Sequence, residues 1–363
     1  MRGNIKVLII DDSALARKLL SDILSSEPGI EVVGVAPDAF IATRKIKQLK
    51  PDVLTLDIEM PKMNGLTFLE KLMRAHPMPV IMVSSLTSKG AEATIKALSL
   101  GAIDFITKPT TNLSTTMEEM RQDLVTKVKI AASVHLARPR TTIMNVAPKL
   151  SMDAVIERAS FDHDKARSET VVAIGASTGG TVAIDHILRH LPPDFPPVVI
   201  VQHMPPLFTE SFAKRANANS ALEIREAKDF DRLMRGHALV APGGKHMLVY
   251  MDAQGLYVNV KDGPPVNRHK PSVDVLFRSV ANSLGPNAIG IILTGMGDDG
   301  ARGIKEMRGA GAFTIAQDEE SCVVFGMPRV AINMGGVKKI LPLDDIAPFI
   351  INMSKERQET NGL

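Results

Sequence analysis

Tryptophan is absent from the 363 residues and aromatics make up only 4%, so the chain offers few platforms on which bases could stack. The single cysteine, Cys322, excludes an internal disulfide and is compatible with a reducing compartment. An excess of one charge is missing too: 43 Lys+Arg against 40 Asp+Glu leave a net +3, which advertises no polyanion-binding field. No apolar run approaches ~18 residues, and the first one, KVLII, ends at Asp11 and Asp12. We therefore expect a cytoplasmic protein with no signal peptide, no membrane insertion and no nucleic acid partner. What is present is an apolar fraction of 45%, suited to globular folding. The length suits roughly two domains of about 150 residues each.

Short apolar runs alternate with amphipathic stretches in the first third, where KVLII, EVVGV, DVLTLD, VIMVSS and AIDFIT read as strands. Five strands with helices between them predict a doubly wound parallel sheet. A second series begins at Val171 and continues through VVIVQ, AIGIILT and AFTIA, with a hairpin expected in HMLVYMDAQGLYVNV around Gly255. The fold class expected is α/β, two doubly wound domains with mainly parallel sheets, the second with an antiparallel hairpin. The boundaries expected are 1–130 for the first domain, 131–168 for an interdomain linker with Pro139, Pro148 and mixed charge, and 169–357 for the second domain.

Ligands of a parallel sheet collect beyond the carboxyl ends of its strands. Asp11 and Asp12 follow the first strand, Asp57 ends the third, Ser84 the fourth, and Lys108 follows the fifth. Acids gathered there repel one another unless a cation compensates them, and oxygen-only ligation favours Mg²⁺. Asp57 then becomes a candidate phosphoryl acceptor, with Lys108 and the metal neutralising the transferred charge. Any one of these aspartates could equally be a cap on the next helix or turn. Taken together, DDS, LTLDIEMPKMNG, VSS and DFITKP resemble the flavodoxin-like receiver domain of bacterial response regulators over roughly residues 5 to 125. The resemblance implies phosphorylation of Asp57 by a chemotaxis histidine kinase, and Mg²⁺ on Asp11, Asp12, Asp57 and the backbone carbonyl of Glu59. It also implies a switch pair, Ser84 and Phe105.

A receiver needs an output, and some 190 residues with several strands far exceed a helix-turn-helix module. The stretch VVAIGASTGG, residues 171–180, runs a strand into a glycine-rich turn of the form G-x-S-x-G with TVAIDHILRH as a helix behind it. That is the context of an exposed nucleophile, Ser177. On this motif alone a ligand-binding loop and a plain strand-to-helix turn stand beside the nucleophile. As a phosphate loop it lacks the Lys-Ser/Thr ending of the Walker type.

A serine hydroxyl needs a base, and the base a third group that fixes its tautomer. His203 ends the run VVIVQH, and Asp299 in LTGMGDDGARG follows AIGIILT, so both emerge on the sheet edge of Ser177. Asp298 competes with Asp299, which could also be a helix cap. His186 and His190 sit on the helix after Ser177, and His237, His246 and His269 in less defined loops, so they are weaker choices for the base. Gly295 and Gly297 around Met296 would let backbone N–H groups approach an oxyanion, each donor worth roughly 3 kcal/mol. The chain order Ser, His, Asp differs from that of α/β-hydrolases.

IGASTGG, VVIVQHMP, APGGKHM, NRHKPSVDVLF, ILTGMGDDGARG and AQDEESCVVFGMP together resemble the catalytic domain of the chemotaxis protein-glutamate methylesterases. The resemblance implies Ser177 as nucleophile, His203 as base, Asp299 as orienting acid and Met296 as the lender of an oxyanion N–H. It departs at Asp298, where many members have Asn, and at Lys270, where many have Arg. The implied reaction is hydrolysis of γ-glutamyl methyl esters on methyl-accepting chemotaxis receptors, with deamidation of glutamine by the same acyl chemistry and no cofactor in this half. We expect the unphosphorylated receiver to restrain the esterase and phosphorylation to release it. The rival of another class is a receiver-controlled binding module without turnover; a dedicated amidase is the nearer one.

Overall fold

The computed structural model describes residues 4–108, 113–134, 149–159, 161 and 169–361. The chain divides into two compact units, Met1–Met144 and Asn145–Leu363.

The strands of the first unit are β1 (Ile5–Ile10), β2 (Ile30–Ala36), β3 (Val53–Asp57), β4 (Val80–Ser84) and β5 (Asp104–Thr107). Between and after them run α1 (Ala14–Ser25), α2 (Ala39–Leu49), α3 (Gly65–Ala75), α4 (Ser88–Ser99) and α5 (Leu113–Val134). All pairings are parallel in the order β2-β1-β3-β4-β5. β3 and β4 are buried along their whole length, as central strands covered on both faces must be. Short polar side chains start the helices: Ser13, Asp38, Asn64 and Thr87 each accept a hydrogen bond from the backbone of the first turn they cap. None of Asp11, Asp12 and Asp57 is the N-cap of a helix, although Asp11 Oδ1 accepts from the Ser13 N–H (2.8 Å) and so caps the turn that leads into α1.

The second unit holds β6 (Val171–Ala176), β7 (Val198–Gln202), β8 (Glu223–Glu226), β9 (His237–Val240), β10 (His246–Asp252), β11 (Gly255–Lys261), β12 (Ala288–Ile292), β13 (Phe313–Gln317) and β14 (Lys339–Leu341). Its helices are α6 (Gly180–His190), α7 (Phe208–Ala218), α8 (Val273–Leu284), α9 (Ala301–Gly309), α10 (Met327–Asn333) and α11 (Leu343–Asn361). Seven strands form one parallel sheet in the order β14-β13-β12-β6-β7-β9-β8, while β10 and β11 make the expected antiparallel hairpin apart from it. The order reverses at β6, with β7 on one side and β12 on the other. That switch point is where an open α/β sheet leaves a crevice. β6, β7 and β12 are fully buried, and α8 packs from the hairpin side with Val273, Leu276, Phe277 and Val280 in the core.

The stretch expected as linker is not all tether. Residues 131–134 continue α5, and 135–148, 160 and 162–168 lie outside the described residues. Residues 149–159 join the second unit: Met152 and Ile156 are buried against Leu248, Val266 and Val275, and a 3-10 turn spans Met152–Ala154. Apolar side chains at 152, 155 and 156 suffice to dock a segment too short to show a period.

Candidate functional site

Ser177 is the first residue beyond β6, and both neighbouring strands hold it there. Its N–H donates to the Thr294 carbonyl after β12 (3.0 Å), and its carbonyl accepts from Gln202 Nε2 at the end of β7 (2.9 Å). The turn into α6 is made by Gly179, whose φ of 79° lies in the left-handed region. A Cβ on Gly295 would stand 2.8 Å from Ser177 Cβ, so only glycine lets the β12 loop approach this closely. Ser177 is half-buried.

His203 follows β7, its N–H bonded to the Ala176 carbonyl (3.1 Å) beside Ser177. Its Nε2 meets Asp299 Oδ2 at 2.8 Å. An ionised carboxylate only accepts, so Nε2 carries the proton and Nδ1 is left as the basic nitrogen. Nδ1 is buried and accepts no hydrogen bond, from Ser177 or from any other described residue.

Asp299 lies beyond β12 and is 1% exposed. Oδ1 accepts from Asn267 Nδ2 (2.8 Å), Ser272 Oγ (2.8 Å) and the Asp274 N–H (3.3 Å). Oδ2 accepts from the Val273 N–H (2.7 Å) as well as from His203. The carboxylate thus sits on the N-terminus of α8, where free N–H groups and the helix dipole favour an anion. Burial pushes its pKa up, but the hydrogen bond from His203, the electrostatic pull of the His203 and His269 rings and the Asn267 amide outweigh it and hold the group ionised well below the usual carboxylate range. Asp298, the competing acid, turns outward to Lys149, which meets the charge added at this departure. Lys270, the other departure, pairs with Asp262 (2.7 Å).

Met296 is exposed, and its backbone N–H has no acceptor among the described residues. The Gly295 N–H, expected to be available, is instead used on the Val324 carbonyl (3.0 Å), because this loop is stitched to the segment before α10. His269 was underrated by sequence: its ring lies flat on that of His203, with centroids 3.7 Å apart and planes 7° from parallel. Its position just beyond the turn residues of PPVNRHKP carried no periodic signal. His237 and His246 are on β9 and β10, and His186 and His190 are on α6.

In the first unit Asp11 and Asp57 are buried, and Asp12 is exposed at the rim. Ligand atoms of the three carboxylates all lie within 4.8 Å of one another. Lys108 Nζ stands 3.0 Å from both Asp11 Oδ2 and Asp57 Oδ2. Among the described residues that ammonium is the one donor within reach of these two buried oxygens. Burial, then the charge of Asp11, push the Asp57 carboxyl up to about 6. Three carboxylates sharing one lysine, one of them with a raised carboxyl, fit a divalent cation as the further compensating charge. The buried Ser84 hydroxyl donates to the Gly90 carbonyl (3.2 Å). Phe105 is buried on β5, and Glu59 follows β3 with its side chain exposed.

Residues 172–350 match the family model described as CheB methylesterase, and residues 7–122 that of the response regulator receiver domain. A relative from Geobacter metallireducens, named protein-glutamate methylesterase/protein-glutamine glutaminase 1, is 53% identical over 94% of both chains. One of the same name from Xanthomonas campestris pv. campestris is 50% identical over 97% of this chain and 98% of its own. The Thermotoga maritima CheB methylesterase catalytic domain superposes with a TM-score of 0.51 at 37% identity, covering 52% of this chain and all of that one.

Proposed function

This chain belongs to the CheB methylesterase family, with a response regulator receiver domain ahead of its esterase domain, and from that premise we propose that Ser177, His203 and Asp299 hydrolyse γ-glutamyl methyl esters on chemoreceptors. The observation that carries this reading is the His203 ring: Nε2 is committed to an ionised Asp299, and Nδ1 is open at the strand edge that also presents Ser177.

Ser177 Oγ attacks the ester carbonyl while Nδ1 takes its proton, and Asp299 stabilises the imidazolium that forms. The Met296 N–H donates to the oxyanion. Nδ1–H then protonates the leaving methoxide, releasing methanol, and a water deprotonated by Nδ1 opens the acyl-enzyme to give glutamate and regenerate Ser177. With glutamine as substrate the leaving group is ammonia, which matches the second activity in the relatives' names.

In the receiver, Asp11, Asp12, Asp57 and the Glu59 carbonyl would hold Mg²⁺, which supplies charge neutralisation for phosphoryl transfer from a chemotaxis histidine kinase. Asp57 accepts the phosphoryl group, Lys108 contacts it, and Ser84 and Phe105 respond to it. We assign residues 1–130 to the receiver and 169–357 to the esterase, with 149–159 packed on the latter.

The test is methanol release from methylated receptor membranes, with and without a small-molecule phosphodonor. We expect release that rises with the phosphodonor and drops by several orders of magnitude in Ser177→Ala. A Ser177→Ala chain as active as the parent would return the second unit to a binding module.

A further inference from the structure

Val266–His269 is a tight reversal. The Val266 N–H donates to the His269 carbonyl (3.1 Å) and the His269 N–H to the Val266 carbonyl (2.8 Å). Its two central residues, Asn267 and Arg268, have left-handed backbone, with φ of 49° and 72°. This is type I′ geometry, in which Asn suits the first central position and glycine is preferred at the second. The arginine makes the turn more strained than it need be, and strain of this kind collects at functional sites.

The turn reaches the catalytic pair at two of its residues. At its first central position Asn267 Nδ2 lies between two buried carboxylates, 2.8 Å from Asp299 Oδ1 and 2.7 Å from Asp274 Oδ2. At its last residue the His269 ring covers the face of the His203 ring. A stack leaves the edge of the covered imidazole free. It limits rotation of the ring without competing for Nε2, which Asp299 uses, or for Nδ1, which the serine needs.

Resting on the reading of Ser177, His203 and Asp299 given above, we propose that this turn is the positioning element of the esterase: Asn267 fixes the Asp299 carboxylate and His269 fixes the plane of His203. Neither touches substrate. Without the amide, Asp274 Oδ2 and Asp299 Oδ1 lose the one side chain that bridges them, and their repulsion is free to turn the Asp299 carboxylate on its remaining donors. Without the flat partner, His203 is free to turn about its side-chain bonds and Nδ1 leaves the attack line, a small displacement that costs rate steeply.

The experiment uses the full chain and methylated receptor membranes, reading methanol release against substrate concentration, with thermal melts alongside. Three variants are compared. Asn267→Gly suits the left-handed backbone and removes only the amide, His269→Ala removes the stack, and His269→Phe restores a flat ring. We expect Asn267→Gly and His269→Ala to lower kcat on the order of 100-fold with KM unchanged, and His269→Phe to regain most of that loss. Parental kcat in both deletions, a loss confined to KM, or Phe no better than Ala at 269 would each overturn the proposal. If Asn267→Gly fails to fold, the Ala and Phe pair at 269 decides it. Failure of the underlying reading looks different: the parent chain itself would release no methanol, or Ser177→Ala would release as much.

Discussion

Gly175 is not a candidate catalytic residue, yet adding one methyl group there should disable the esterase. It lies one residue before the end of β6, and a Cβ built on it would stand 2.1 Å from Val273 Cγ1, 3.0 Å from Val273 Cγ2 and 3.1 Å from Phe277 Cζ. Ordinary carbon contacts are about 3.5–4.0 Å, so Val273 must retreat by roughly 1.5 Å. It has little freedom to do so: Val273 and Phe277 are fully buried, and valine is stiff at χ1. Overpacking of this kind costs about 1–3 kcal/mol of stability. The functional consequence is larger, because Val273 is the first residue of α8 and its N–H holds Asp299 Oδ2, the oxygen that also accepts from His203. A retreat of that size breaks the contact and lowers kcat for methanol release by about 100-fold. Val273→Ala removes the two valine atoms in collision and leaves only the 3.1 Å approach to Phe277 Cζ. On its own it leaves a cavity and costs about 2 kcal/mol, but combined with Gly175→Ala it makes room for the new methyl. The double variant should be more stable and more active than Gly175→Ala alone, measured by urea unfolding and by initial rate in one thermodynamic cycle. A cycle that closes additively, or Gly175→Ala at the parental rate, would refute the claim that the approach of α8 to β6 sets the position of Asp299.

Burial, then the charge of Asp299, push the Asp274 carboxyl up to about 7, above its unfolded value of 3.8, so the native state binds that proton more tightly. Its stabilising contribution is complete below about pH 4 and is lost as pH rises through about 7; the urea midpoint of the esterase should fall across that window, and Asp274→Asn should flatten the slope, whereas parallel slopes would show that Asp274 does not titrate there. A chain beginning at Lys149 should keep the esterase fold, whereas one beginning at Glu169 loses the burial of Met152 and Ile156, together worth about 4 kcal/mol; equal urea midpoints would mean that residues 149–159 contribute nothing.

The central strands were legible in the sequence because they are buried on both faces and read as unbroken apolar runs: β3, β4, β6, β7 and β12 all sit where VLTLD, VIMVS, VVAIGA, VVIVQ and AIGII predict them. The edges of the second sheet were not. β8 is EIRE, four residues of which three are charged, and β14 is the three-residue KIL, with two of its positions exposed. Edge strands this short carry no alternation to read, and they form because a preformed sheet offers them partners. The same contrast runs through the candidate site. Ser177, His203 and Asp299 follow β6, β7 and β12, and a residue just past the end of a central strand is announced by the strand itself. Asn267, His269 and Ser272 stand in a loop between the hairpin and α8, and nothing about their spacing connects them to the switch point.

Asp298 and Asp299 are adjacent and chemically identical, so strand position alone did not separate them, and Asp299 was favoured only through the family resemblance. What separates them is where the chain finds donors. Asp299 is met by the first N–H groups of α8, by the Ser272 hydroxyl that also caps that helix, and by the Asn267 amide; five donors in all make burial of its charge affordable. Asp298 finds one lysine at the surface, Lys149, and stays half-exposed. The segment that supplies Lys149 also supplies Leu150, whose carbonyl accepts from the Asn267 N–H (3.0 Å). The chain leading into the esterase therefore ends on the two residues that flank the catalytic acid's support, one through a charge and one through a backbone hydrogen bond. Lys149 and Leu150 are thus in contact with Asp298 and with Asn267, the residues beside and behind Asp299.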